Sequence, residues 1–190
     1  MMRYLFGFAV FLVLIIIGLI FIFARGGEKP PSRTEETIQP LPEYSTTNAA
    51  VSMNQRGEIN GQDQHREILI TIGQLERRLD IVSGYSGNVI KTQSFSNSEP
   101  AYKQFLAAIG DAGFLAKRQT TEAQAESLGK CPLGVLYEFE LNDSGDILSD
   151  LWTSGCSAAK GTFAGSVSTI SQLFKNQITN YGELVAGVQL

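Results

Sequence analysis

Residues 4–24, from Tyr4 to Ala24, contain no charged residue, no Pro, Asn or Gln, and only two Gly. No other feature restricts the chain's architecture as much. At ~1.5 Å per residue, a helix of this length spans about 30 Å, the thickness of a bilayer core. A cleaved signal carries a shorter apolar run, roughly 7–15 residues, and then an A-x-A-like site. Here the run ends Phe21-Ile22-Phe23-Ala24-Arg25, without a small residue three positions before the end, and no Cys follows to carry a lipid. A buried core helix would need surrounding apolar faces that the rest of the chain does not supply. The expectation is a transmembrane signal-anchor helix over residues 1–25, with the lipid bilayer as its partner through Tyr4–Ala24.

Orientation is set by competing signals. Arg3 precedes the run, whereas Arg25, Lys29 and Arg33 follow it, and basic residues favour the cytoplasmic side. Against that stand the position of the run near the first residue and two cysteines with disulfide spacing. These place the C-terminal domain outside the cytoplasm on a single-pass membrane protein.

Four of the six prolines lie between residues 25 and 61, among many Ser, Thr, Asn and Gln. Pro30-Pro31 and Pro40-Leu41-Pro42 favour extended backbone. Such a segment buries too little surface to offset chain entropy. Residues 26–60 therefore read as a disordered Pro/polar linker and residues 61–190 as an extracytoplasmic domain. Residues 1–59 hold 5 basic and 5 acidic groups, and residues 60–190 hold 10 and 14, so the domain carries the whole net charge of −4. That excess argues against nucleic acid as a partner. The composition, 43% hydrophobic and 18% charged over 190 residues, excludes collagen-like, disulfide-dense and wholly disordered chains.

Within the domain, Ile68, Ile70 and Ile72 alternate with Leu69 and Thr71, the period of a strand. Gly73-Gln74 is a turn signal, Leu75 to Val82 alternates again, and a longer turn at 83–88 leads to a third strand over 89–95. These three read as an antiparallel meander. Ser98 and Pro100 then open a helix. Tyr102, Phe105, Leu106 and Ile109 form its apolar stripe, and Gly113 is placed to end it. Residues 117–130 are polar, with a short helix or a loop at 120–128. A hairpin follows, Val135 to Leu141 and Ile147 to Thr153. Centring its turn between Asp143 and Ser144 puts Val135 opposite Trp152, Leu136 opposite Leu151 and Phe139 opposite Leu148. The same register puts Cys131 opposite Cys156. Opposed Cα atoms lie within disulfide range, so a Cys131–Cys156 bridge is expected, worth ~3–4 kcal/mol for a loop of this length. A bridge in turn implies an oxidising compartment. A last helix over 166–178 shows Val167, Ile170, Leu173, Phe174 and Ile178 at helical spacing. Leu184, Val185 and Val188 belong to an edge strand or a docked tail. The fold class is α+β: an antiparallel sheet with two main helices on one face, preceded by one transmembrane helix and a disordered linker.

Chemistry is sparse. The single histidine, His65, lies at the linker edge and reads as solvated; one His and two bridged Cys do not make a zinc site. Ser157-Ala158-Ala159-Lys160 matches the S-x-x-K pattern of penicillin-recognising enzymes, but there is no S-D-N, and Lys160-Gly161-Thr162 overlaps the same stretch. It reads as a loop. Gly84-Tyr85-Ser86-Gly87 falls short of G-x-S-x-G and is a turn. Glu138 and Glu140 project on one face at period two, the pattern of exposed acids on a strand. Asn142–Asp146 lacks the distal Glu of a calcium loop. No catalytic, cofactor-binding or metal site is expected.

Cys131-Pro132-Leu133-Gly134, Tyr137-Glu138-Phe139-Glu140-Leu141, Trp152-Thr153-Ser154-Gly155-Cys156 and Gly161-Thr162-Phe163-Ala164-Gly165 resemble a family of uncharacterised small single-pass exported proteins of reduced-genome bacteria. The likeness covers residues 57–190 and implies no activity. The element order is also similar to that of emfourin-like protease-inhibitor domains. The expected role is a membrane-anchored, extracytoplasmic, non-enzymatic module that binds a protein or envelope polymer. The alternatives are an inhibitor of an envelope protease and an unrecognised hydrolase.

Overall fold

The computed structural model describes residues 38–190. Six strands form one antiparallel sheet: β1 (Ala50–Arg56), β2 (Arg66–Gly73), β3 (Glu76–Ser83), β4 (Asn88–Ser96), β5 (Leu136–Asp143) and β6 (Asp146–Ser154). Their spatial order is β4-β3-β2-β1-β5-β6. Four helical segments complete the domain: α1 (Glu99–Asp111), α2 (Glu122–Ala125), α3 (Val167–Asn176) and α4 (Tyr181–Leu184). The α+β class and the antiparallel sheet stand as expected. Both main helices, α1 and α3, join the apolar core of one sheet face, with Phe105 of α1 meeting Phe174 of α3 edge-on at 5.1 Å.

The expected membrane helix is not part of this architecture. Among the described residues no helix is long and apolar enough to cross a membrane; residues 4–24, and the part of the expected linker at 26–37, lie outside them.

For residues 38–60 the expected disorder is overturned. A short 3₁₀ helix spans Leu41–Thr46, and β1 is an interior strand paired to β2 on one side and to β5 on the other. Leu41, Tyr44, Ala49, Val51 and Met53 are all buried, and the Tyr102 hydroxyl donates to the Ala49 carbonyl at 3.0 Å. Averaged over the whole polar stretch, a two-residue alternation of Val51 and Met53 disappears. The stability of β1 comes from two ladders of backbone hydrogen bonds supplied by its neighbours, which composition does not register.

The helices follow most of their sequence signals, although Ser98 precedes α1 without a side-chain capping hydrogen bond. In α1, Tyr102, Phe105, Leu106 and Ile109 are buried, and Gly113 follows the helix at φ 83°, the left-handed conformation that glycine adopts at low cost. In α3 the Ser166 side chain accepts the Thr169 N–H, and Ile170 and Phe174 are buried. Residues 117–130 hold only the one-turn α2. The C-terminus is a docked tail and not an edge strand: after α4, Val185, Val188 and Leu190 pack against the core.

The β5–β6 register differs from expectation. Ser144 and Gly145 both have positive φ, 54° and 98°, the signature of a two-residue hairpin turn. The turn is therefore centred between Ser144 and Gly145, one residue later than expected. A bulge at Leu141/Asn142 then leaves Leu148 as an extra residue on β6. Phe139 consequently faces Leu151, and Glu138 faces Trp152. An odd shift reverses the faces of the sheet: Trp152 lies opposite to the core side, where its indole N–H donates to the Ala125 carbonyl at 2.7 Å.

The Cys131–Cys156 bridge is present, with Cα atoms 5.6 Å apart, although the register that suggested it is not. The two cysteines lie outside the ladder. Cys131 opens a tight turn, with φ 52° and its carbonyl accepting the Gly134 N–H. Cys156 opens another, with its carbonyl accepting the Ala159 N–H. The bridge ties the two turns together.

Candidate functional site

Because both main helices pack on one side, the other sheet face is left largely uncovered. Its side chains follow from strand alternation. Across the middle of the sheet run Asp150, Glu140, Ser52, Thr71 and Arg78; the next row holds Trp152, Glu138, Asn54, Leu69 and Asp80. A cavity of about 510 Å³ lies over β1, β2, β5 and β6, lined among others by Ser52, Asn54, Thr71, Glu138, Glu140 and Asp150.

At one end of this face a single guanidinium bridges two carboxylates. Arg56 Nη1 donates to Glu138 Oε1 at 3.0 Å, and Arg56 Nε lies 3.6 Å from Glu67 Oε1. Asn54 Nδ2 bridges the two acids, 2.7 Å from Glu67 Oε2 and 3.3 Å from Glu138 Oε2. That use of its amide leaves Asn54 Oδ1 buried without a partner. His65 extends the network and is not solvated as expected: it is 1% exposed. Its Nε2 meets Glu67 Oε1 at 3.2 Å, its Nδ1 meets the Glu58 carbonyl at 3.0 Å, and its ring stacks on Tyr85 at 4.1 Å. Further along, Asp80 accepts from Arg78 Nε at 2.8 Å and from the Thr92 hydroxyl at 2.7 Å.

The other end carries unbalanced negative charge. Glu140 and Asp150 are directly opposed across β5 and β6, and neither is in an ion pair among the described residues. Burial raises the Glu140 carboxyl above its ordinary value, and the charges of Asp150 and Glu138 add to the rise, against a hydrogen bond from Asn142. Burial also raises Asp150, helped by Glu138.

The sign of the pH effect follows. Folded Glu140 and Asp150 retain protons that the unfolded chain has already released. Stability therefore falls as pH rises from the unfolded carboxylate values, about 4, through the raised folded ones. Glu140→Gln is expected to stabilise the protein at pH 7 by ~0.2–1 kcal/mol, the scale of an opposed like-charge pair. The gain should vanish near pH 3.5, where wild type is neutral at this position. Urea midpoints at the two pH values check this; an equal gain at both would reject it.

The remaining sequence candidates do not assemble into a site. Gly84 to Gly87 form the β3–β4 turn, and Asn142–Asp146 the β5–β6 turn. Lys160 Nζ donates to the Ser154 carbonyl at 3.1 Å and makes no recorded bond with Ser157. Among the described residues no group of three or more His, Cys, Asp or Glu side chains is placed to hold a metal ion. Glu138 and Glu140 do share a face, but their neighbours Asp150, Asn54 and Arg56 were not identified from sequence. Asp150 was hidden by the register error, and Asn54 and Arg56 by reading β1 as linker. The alternation Val51, Met53, Gln55 was the signal available for the latter two.

No protein-family model matches this chain, and no curated protein matches it.

Proposed function

We propose that the protein is a non-enzymatic binding module that receives an extended, basic segment of a partner protein on the open face of its sheet. The observation that carries this reading is the uncompensated Glu140–Asp150 pair beside a cavity on a face the helices leave free. Ammonium or guanidinium groups there would relieve repulsion already present in the folded domain. The other end of the face, where Arg56, Glu67, Glu138, His65 and Asn54 are bonded to one another, serves as scaffold. The disulfide supports a location outside the cytoplasm, with the apolar residues 4–24 holding the protein at the membrane.

The test is titration of the purified full-length protein with hexalysine and with hexaglutamate as control. Binding of hexalysine alone is expected, weakening with salt and falling about tenfold in a Glu140→Gln/Asp150→Asn variant, or ~1.4 kcal/mol. Equal affinity of wild type and variant would overturn the reading. Capture of a protease whose activity then falls, by a route insensitive to these two substitutions, would replace it with the inhibitor alternative.

A further inference from the structure

The helix-covered side of the sheet has an apolar centre and a polar corner at the open end of the β5–β6 hairpin. Phe139, Leu141 and Leu151 are buried on that side, but one step along the ladder the facing pair is Tyr137 and Thr153. Here α3 and the β5–β6 end line an open cavity of about 430 Å³. Its helical wall presents Ser168, Ser171, Gln172 and Lys175, spaced three, four and seven residues apart on one stripe. The loop after the disulfide contributes Lys160.

Three features distinguish this corner from an ordinary polar surface. None of the lining residues is acidic, although the chain as a whole is. Neither lysine is in an ion pair among the described residues: Lys160 donates to a backbone carbonyl, and Lys175 lies 5.4 Å from the Tyr181 ring centroid. Ser171, 7% exposed, has a buried hydroxyl with no hydrogen-bond partner. Buried hydroxyls are rarely left unpaired, because the lost water bonds are not replaced. The α3 N-terminus adds to the same field, since the first N–H groups of a ten-residue helix lack intrahelical acceptors.

We infer that the cavity between α3 and the end of the β5–β6 hairpin is a binding site for a phosphate group. Lys160, Lys175, Ser168, Ser171 and Gln172 line the cavity from the helix and from the loop after the disulfide. Several donors on different sides of a cavity suit the oxygens of a tetrahedral anion better than the two coplanar oxygens of a carboxylate. The site is separate from the open face, which lies on the other side of the sheet, and does not rest on the function proposed for it.

The experiment is a calorimetric titration of the full-length protein with inorganic phosphate, glycerol 3-phosphate and acetate at constant ionic strength, with thermal unfolding followed in parallel. Inorganic phosphate should bind at least tenfold more tightly than acetate. Glycerol 3-phosphate binding as well as phosphate would assign the site to a phosphomonoester, and clear preference for phosphate would assign it to the free anion. Lys175→Gln should lower phosphate affinity at least fivefold, while the lost contact with the Tyr181 ring is read separately in the apo midpoint. Ser171→Ala should raise the apo midpoint while reducing the shift phosphate produces; a purely structural serine would not give opposite signs. Equal affinity for phosphate and acetate, or unaltered phosphate affinity in Lys175→Gln, would overturn the proposal.

Discussion

Replacing Cys131 and Cys156 with serine is expected to cost ~3–4 kcal/mol, the chain-entropy value for a loop of this length. In a protein of this size that lowers the unfolding midpoint by about 10 °C. The bridge spans 25 residues of sequence and encloses the whole β5–β6 hairpin. Without it the turns at Cys131 and Cys156 are held by single hydrogen bonds, from Ile59 N–H to the Pro132 carbonyl, from Gly155 N–H to the Val135 carbonyl, and by the bonds around Ser154. Loss should therefore begin at the Leu136–Ser154 end, visible as faster amide exchange there than at Asn142. Alkylation of protein freshly taken from its native membrane, followed by mass spectrometry, should yield a linked 131–156 peptide. Two alkylated thiols would reject both the bridge in the cell and the oxidising compartment. A double-serine variant as stable as wild type would reject the energetic claim.

Phe139→Ala is expected to cost as much or more, ~3–5 kcal/mol. Phe139 is 1% exposed and occupies the middle of β5. Its ring centroid lies 4.4 Å from that of Phe163 and 6.1 Å from that of Phe114, which stacks in turn on Phe174 of α3. Truncation opens a cavity where the segment after α1, the sheet, the 163 loop and α3 meet, so no one element can move in to fill it. Phe139→Leu should recover a large part of the loss. Urea unfolding with the m-value held constant is the check; a cost below ~1 kcal/mol would show that the cluster collapses freely.

What the sequence revealed depended on how local the signal was. The α1 stripe, the Gly113 stop, the stripe of α3 and the three strands β2–β4 each rest on contiguous residues, and each is where the spacing put it. β1 was missed because what holds it lies elsewhere: its partners start at residues 66 and 136. The hairpin itself was legible, but its register was not. Asn142-Asp143-Ser144-Gly145 offers two turn centres one residue apart, and the bulge that uses Leu148 is set by packing across the sheet. The disulfide was right for a partly wrong reason. Proximity to the open end of the hairpin was enough, and exact opposition was unnecessary. Of the candidate face, Glu138 and Glu140 were visible as a period-two pair, whereas the opposed Asp150 needed the register and Arg56, which pairs with Glu138, needed β1.

The central position of β1 matters to the order in which the protein is made. Chain growth runs from the N-terminus, so β1 to β4 are available as a four-stranded meander before β5 exists. One side of β1 stays unpaired until residues 57–135 have followed, roughly 4–16 s at ~5–20 residues per second. During that interval Val51 and Met53, fully buried in the finished domain, sit on an open sheet edge, a surface that readily recruits strands from other chains. A second copy supplying its own Leu136–Asp143 would satisfy the same register.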